Sequence, residues 1–223
     1  YVVDQRINDR GIMIDRQLAE SAIYVDNTYS EYLINQAKQI THLENPKSPL
    51  QMRKWIEKTT GIQVDSLAKE VIADVLEQVK DYPQVVEALD IYKKLSKTSI
   101  KKYYAMINCS TPDDRVRGTF QFYGANRTGR WAGRLLQLQN LSKNHFADID
   151  TPRNLIRERD WEAVDMLYGD VADVLSQLVR TALIAPKGYI YSVADFSAIE
   201  ARVISWLANE HWRMEVFRGD GKI

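Results

Sequence analysis

Apolar positions lay out the plan of this chain. From Leu18 to Ile40 they recur at spacings of three and four, through Ala22, Val25, Tyr29, Leu33 and Ala37. That is a single stripe along a helix of roughly six turns, and such a stripe needs a partner to cover it. Asp15 stands where the N-cap of that helix belongs. The residues before it read as a short strand or extended lead-in, closed by a turn at Gly11. After a break at Pro46, Ser48-Pro49-Leu50-Gln51 restarts a helix with Ser at the N-cap, Pro at the first helical position and Gln closing a capping box. Met52, Trp55 and Ile56 form its inner side, and Gly61 ends it.

The pattern predicts further helices over 67–80 and from Pro83 onward. The second carries Val86, Leu89, Tyr92, Ser96, Ile100, Tyr103 and Ile107 on one face. Thr111-Pro112-Asp113-Asp114 is a turn. Beyond it RVRGTFQFYG alternates, with Val116, Phe120 and Phe122 to one side, as one strand with a buried face does. Residues 125–145 are polar and aperiodic, hence loop, and 160–184 return to a helical period. GYIYSVAD reads as a short strand ending at Asp195. A helix follows from Ser197, with Glu200 completing its capping box and Ile199, Val203, Trp206 and Leu207 buried. The expected fold is α+β and mainly helical: a helical domain over 1–112 with a lead-in strand, then a mixed domain over 113–223 built on a partial antiparallel sheet.

Composition adds little until it is divided. The chain has 223 residues, 45% of them hydrophobic, and equal numbers of basic and acidic side chains, 30 of each. The one cysteine, Cys109, excludes an internal disulfide and any multi-cysteine metal site. No apolar run reaches a membrane-spanning length, and the first residues carry charges where a signal peptide would be apolar. Residues 91–145, however, hold eleven basic side chains and two acidic ones. The neutral total is a cancellation between a strongly basic segment and an acidic remainder. A solvated helix face accounts for some local excess, but this one is large and has few acids mixed in, which points to a polyanion partner.

Few residue groups carry chemistry on spacing alone. Gly124 to Gly129 has the spacing of a phosphate-binding loop, but Arg130-Trp131 stands where Lys-Ser or Lys-Thr is required, and no helix follows. His42, His145 and His211 are scattered. Asp195 sits at a strand-to-helix turn, a common place for a magnesium ligand, with the Phe196 carbonyl beside it as a second hard oxygen. Simple helix capping accounts for Asp195 equally well, and spacing leaves both readings open.

With these residues in view, the chain resembles the family A (polymerase I-like) DNA polymerases, and its wording is most similar to the phage and prophage branch. SVADFSAIEARVISWLA is similar to the family's first catalytic motif, matching at Asp195, Phe196, Ser197, Ile199, Glu200 and Arg202. TGRWAGRLLQLQNLS resembles a second motif, matching at Thr128, Gly129, Arg130, Leu138, Gln139 and Asn140. The upstream helices fit the family's thumb, and the basic helix around Lys97 belongs to that likeness.

The resemblance implies a helical thumb followed by the first part of a palm, from an enzyme that adds deoxynucleotides to a primer 3′ end as a template directs. Asp195, with the Phe196 carbonyl, would hold magnesium as one of two aspartates serving two ions. Glu200 would crowd the sugar 2′ position of the incoming nucleotide. Arg130 would reach the minor groove near the primer end, Gln139 and Asn140 would bind primer–template nearby, and Lys97 would contact phosphates. The chain departs from the family at Ser99, where a second thumb lysine is usual, and at Gln137 and Ala198. Residues 146–178 form a longer helical segment than bacterial relatives carry.

The fingers helix and the His-Asp-Glu motif with the second aspartate are not in the sequence and are expected after residue 223. An exonuclease is expected before residue 1. The chain alone is therefore expected to be inactive, to act in the host cytoplasm, and to pair with a second copy through an open palm edge. The rival reading is a helical module that binds nucleic acid through residues 91–145 without catalysis, and a third is a protein scaffold with solvated lysines.

Overall fold

A computed structural model describes residues 1–68, 70–97 and 99–219. It has a mainly helical α+β fold and divides into two compact units, Tyr1–Ile184 and Ala185 onward. The first unit opens on a helix, α1 (Val2–Arg10), where the sequence suggested extended chain. Its apolar residues Val2, Val3 and Ile7 stay exposed. What holds α1 is therefore polar contact, described below, and an apolar pattern carries no sign of it.

Strand β1 (Ile12–Ile14) follows, then the long helix α2 (Arg16–Thr41). Asp15 caps α2 as expected, its carboxylate accepting from the Leu18 amide at 3.0 Å. Leu18, Ala22, Val25, Tyr29, Leu33 and Ala37 are all buried along the expected stripe. Ser48 caps α3 (Pro49–Thr60). The expected capping box forms by half: Gln51 reaches back to the Asn45 amide at 3.0 Å rather than to Ser48. The helix expected over 67–80 is the shorter α4 (Ile72–Gln78).

The long helix expected from Pro83 is two, α5 (Pro83–Leu95) and α6 (Ile100–Cys109). Helix α5 is shared between two cores, giving Ile91 to the main one, while α6 serves the main one. Val85, Leu89 and Tyr92 of α5 close a small core with Met52, Ile56 and Val75 of α3 and α4. Tyr103 and Met106 of α6 join the main core against α2. Ser96, the polar member of the expected stripe, lies at the break and is exposed.

The expected strand through RVRGTFQFYG is also two. Strand β2 (Arg115–Val116) pairs with β1. After a break at Gly118 (φ +69°), β3 (Phe120–Ala125) leaves for a separate hairpin. Its partner β4 (Arg130–Gly133) lies where loop was expected. Only Val116 of the expected buried face is buried; Phe122 is exposed and Thr119 is inside. The helices α7 (Asp150–Glu158), α8 (Trp161–Tyr168) and α9 (Val171–Leu178) complete the unit. Strand β5 (Leu183–Ile184) pairs antiparallel with β1, giving the order β2-β1-β5.

The Asp15 carboxylate also accepts from Arg153, at 3.0 Å, and from Arg157, which docks α7 onto the start of α2. The outer edge of β3 is covered by α1. The Asn8 amide donates to the Phe120 carbonyl at 2.9 Å and accepts from the Phe120 amide at 3.0 Å. Asp4 accepts from the Phe122 amide at 3.2 Å.

In the second unit GYIYSVAD forms no strand among the described residues. Helix α10 (Ile199–Leu207) starts after Ala198, which takes a left-handed backbone (φ +50°), and no side chain caps it, so the expected Ser197–Glu200 box does not form. Ile199, Val203, Trp206 and Leu207 are exposed, not buried. Arg202 links α10 to α11 (His211–Arg218), donating to the Ser197 carbonyl at 2.8 Å and to the Phe217 carbonyl at 3.0 Å. Its guanidinium also lies 4.5 Å over the Phe217 ring. A cation thereby satisfies a carbonyl left orphaned at the C-terminal end of α11.

Candidate functional site

The first unit gathers three of the expected DNA-contacting residues around the β3–β4 hairpin. Its tip is Asn126-Arg127-Thr128-Gly129, closed by hydrogen bonds from the Thr128 and Gly129 amides to the Ala125 carbonyl at 3.0 and 2.9 Å. Gly129 is required twice over. Its φ is +65°, and an added Cβ would lie 2.9 Å from the Tyr123 ring. That ring lies across the turn and fixes the exit from which Arg130, exposed, begins β4.

Gln139 and Asn140 sit in a single 3₁₀ turn (Leu138–Asn140) after the hairpin. The local sequence LLQLQNL explains their exposure. Leu136 and Leu141 are buried in the main core, Leu138 packs against it, and the polar residues between are left outside. Lys102 donates to the Leu136 carbonyl at 3.0 Å, and Arg180 to the Leu141 and Ser142 carbonyls at 2.7 and 2.9 Å. The turn is thus tied down at both ends. The Gln139 amide lies where a Cβ on Gly133 would be, 2.2 Å from that position. The structure therefore brings Gln139 against the strand that Arg130 begins.

Lys97 is placed differently from the expectation of a free phosphate contact. It lies just before α6 and is held by Asp170 at 2.7 Å and Asp173 at 3.2 Å. Asp170 caps α9, accepting from the Asp173 amide at 2.9 Å. Burial pushes the Asp173 carboxyl up, but Gln177 and Lys97 outweigh it and hold it below the usual carboxylate range. Ser99 reaches Ser176 of α9 at 2.8 Å, and Ser142 lies 3.0 Å from the same hydroxyl. The polar face of α9 therefore joins the α5–α6 junction to the loop that carries Gln139 and Asn140. Sequence reasoning missed these acids. Their signal was Asp170 and Asp173 three apart at the start of an apolar-periodic run.

Asp195, Phe196 and Glu200 lie in the second unit and are all exposed. Asp195 precedes α10 without a strand behind it. The Arg202 bond to the Ser197 carbonyl holds the chain just past it. The donor set suits magnesium in kind, a carboxylate with a main-chain carbonyl beside it, and both are hard oxygens. It is short in number: among the described residues no three His, Cys, Asp or Glu side chains converge.

A cavity of about 570 Å³ opens elsewhere, between α2, α5 and α8. Its polar groups answer one another. The Tyr29 hydroxyl donates to Asp165 at 2.8 Å and accepts from Lys94 at 3.3 Å. Burial first, and Asp165 next, push the Tyr29 phenol well above its ordinary range, so it stays protonated. No helix among the described residues is long and apolar enough to cross a membrane.

Comparison with known proteins gives this geometry a context. The DNA polymerase of Bacillus phage SP02 is 52% identical over 223 residues, covering all of this chain and 34% of the phage protein. The chain thus spans about a third of that relative's length. No solved structure matches it. The model of the DNA polymerase A family matches residues 17–223, which take in both the hairpin and Asp195. The chain belongs to family A of the DNA polymerases.

Proposed function

We propose that this chain is the primer-gripping part, together with the first metal-binding carboxylate, of an enzyme that extends DNA primers by template-directed nucleotidyl transfer. The observation that supports this best is the packing of Gln139 onto Gly133, which sets the exposed turn of Gln139 and Asn140 against the strand begun by Arg130. In the minor groove O2 and N3 are acceptors common to every base pair, so donors such as Arg130, Gln139 and Asn140 can check pair shape without reading sequence. The basic excess of residues 91–145 gives the surface its affinity for phosphates.

Asp195 and the Phe196 carbonyl would hold magnesium, which when bound would activate the primer hydroxyl and stabilise the leaving pyrophosphate. Glu200, in the first turn of α10, would face the sugar of the incoming nucleotide. Lys97 has a second role in this reading. Held by Asp170 and Asp173, it positions the α5–α6 junction, and it meets phosphate only by leaving those acids. The chain carries one of the two aspartates such a reaction uses, so by itself it binds primer–template and does not extend it.

The test is primer extension with the 223-residue chain, beside equilibrium binding of a primer–template duplex at several salt concentrations. Binding whose log affinity falls with log salt, with no extension, is the expected result. Template-dependent extension by the chain alone would overturn the account of Asp195, and the absence of duplex binding would overturn the account of the hairpin.

A further inference from the structure

The β3–β4 hairpin carries aromatic surface that minor-groove binding by Arg130 leaves unused. Phe122 is 53% exposed, Tyr123 56% and Trp131 41%. Large rings left in water singly need no explanation, but a contiguous set does. These are contiguous. Trp131 stands edge-to-face with Phe122 at 5.4 Å and with Phe120 at 6.4 Å, and Tyr123 is 6.3 Å from Phe122.

Strand geometry explains the row. Phe120 and Phe122 are two apart on β3 and share a face, and Trp131 lies across from them on β4. Gly133, two residues beyond Trp131, continues that face, and there the Gln139 amide closes the inner end of the row. Helix α1 covers the edge of β3 through Asn8 and Asp4, which bond the backbone and leave the ring faces open.

Charge selects the partner. Residues 120–134 contain three arginines and no acid. Rings alone would suit any apolar surface, whereas rings set among arginines suit a polyanion that offers flat, apolar faces. An unpaired nucleic-acid strand is such a partner: every base has a face to stack, and its phosphates meet the cations. A duplex hides its base faces in its own stack, so the row offers it little.

We propose that the aromatic row of the β3–β4 hairpin is a stacking site for unpaired DNA bases, distinct from the minor-groove contact of Arg130. The choice of DNA as the strand rests on the polymerase reading; the stacking site rests on the rings and the arginines.

Fluorescence anisotropy with a labelled oligo(dT) and, in parallel, a primer–template duplex tests this on the full chain and on Trp131→Ala, Phe122→Ala and Trp131→Phe. Removing either ring is expected to weaken oligo(dT) binding by about fivefold to a hundredfold, the range seen when stacked aromatic side chains are replaced by Ala. Duplex affinity should change by less than about twofold, because a duplex keeps its base faces stacked on one another. Trp131→Phe keeps a ring and should retain most of the oligo(dT) affinity, which separates stacking from a folding defect.

Unchanged oligo(dT) binding in both Ala variants would overturn the proposal. So would equal losses in Trp131→Phe and Trp131→Ala, or equal losses on duplex and oligo(dT). A chain that binds duplex but not oligo(dT) refutes the stacking site and leaves the polymerase reading standing. Ring-dependent oligo(dT) binding without duplex binding does the reverse, and binding of neither refutes both.

Discussion

Replacing Asp15 by Asn would separate two interactions that one carboxylate makes. Asn remains a good N-cap, so the acceptor for the Leu18 amide survives. The charge that faces Arg153 and Arg157 does not. Both guanidiniums already bury an Nε without a hydrogen-bond partner, so losing the carboxylate adds to groups left unsatisfied. Removing one member of a buried ion pair typically costs about 3–5 kcal/mol. Here the Arg153 and Arg157 side chains keep 21% and 32% of their surface in water. Solvent screening brings the expectation down to about 2–3 kcal/mol. At about 2–4 °C per kcal/mol for a chain of this size, the melting temperature should fall by roughly 5–10 °C.

Asp15→Ala removes the cap as well and should cost about 1 kcal/mol more. Combining Asp15→Asn with Arg153→Met and Arg157→Leu should recover much of the loss, because no orphaned charge is left. The pH dependence has a definite sign. Burial pushes the Asp15 carboxyl up, but the Leu18 amide and the two guanidiniums outweigh it and hold it below its ordinary value. Its stabilising contribution is therefore present above the unfolded pKa, about 3.9, and is lost as pH falls through the folded one. Asp15→Asn should flatten that acid limb. Urea denaturation followed by circular dichroism reads all of these. A loss below about 0.5 kcal/mol in Asp15→Asn, the size of an ordinary surface substitution, would refute the argument.

Other substitutions probe the site more directly. Gly129→Ala places a Cβ in a left-handed backbone against the Tyr123 ring, and should cost about 1–2 kcal/mol in thermal denaturation; adding Tyr123→Ala should relieve only the part due to the ring. Asn8→Ala leaves the Phe120 amide and carbonyl without their side-chain partner, which should cost about 1–3 kcal/mol and speed amide exchange at Phe120. Asp170→Asn with Asp173→Asn releases Lys97 and should raise duplex affinity; the gain should vanish when Lys97→Ala is added, and a gain that persists would remove Lys97 from the DNA contact. Arg130→Ala should weaken duplex binding whatever its sequence, because the minor-groove acceptors it would meet are common to all base pairs.

The long apolar stripe of α2, the caps at Asp15 and Ser48 and the stop at Gly61 were legible because each is a local pattern that its own neighbours satisfy. The motifs around Arg130, Gln139 and Asp195 were legible as words before any geometry was known. What escaped depends on remote partners. Beyond the break, α6 faces the main core alone whereas α5 is shared between two cores, a division that one helical period cannot reveal. Strand β4 was hidden because Arg130-Trp131-Ala132-Gly133 lacks alternation and becomes a strand only by pairing with β3. The second unit failed in the other direction: the apolar residues of α10 promised burial, and the described residues leave them exposed.

The way α1 meets β3 bears on where this chain can be cut. Gly11 looks like a natural boundary, a glycine between an apparently extended leader and a well-capped helix. Asn8, however, presents one donor and one acceptor to Phe120, the same pair of groups a neighbouring strand would present. Helix α1 thus acts as a surrogate strand, and it occupies the side of the hairpin where a foreign β-segment would otherwise add. A version begun at Gly11 would retain every apolar contact of the main core, since α1 contributes no buried residue. It would lose the guard on an edge that can recruit another chain. Its fault would surface as self-association at concentration, beyond the modest loss of stability that comes with removing the Asn8 bonds. A stability screen would register only the lost polar contacts, and a sizing measurement would reveal the edge that those first ten residues cover.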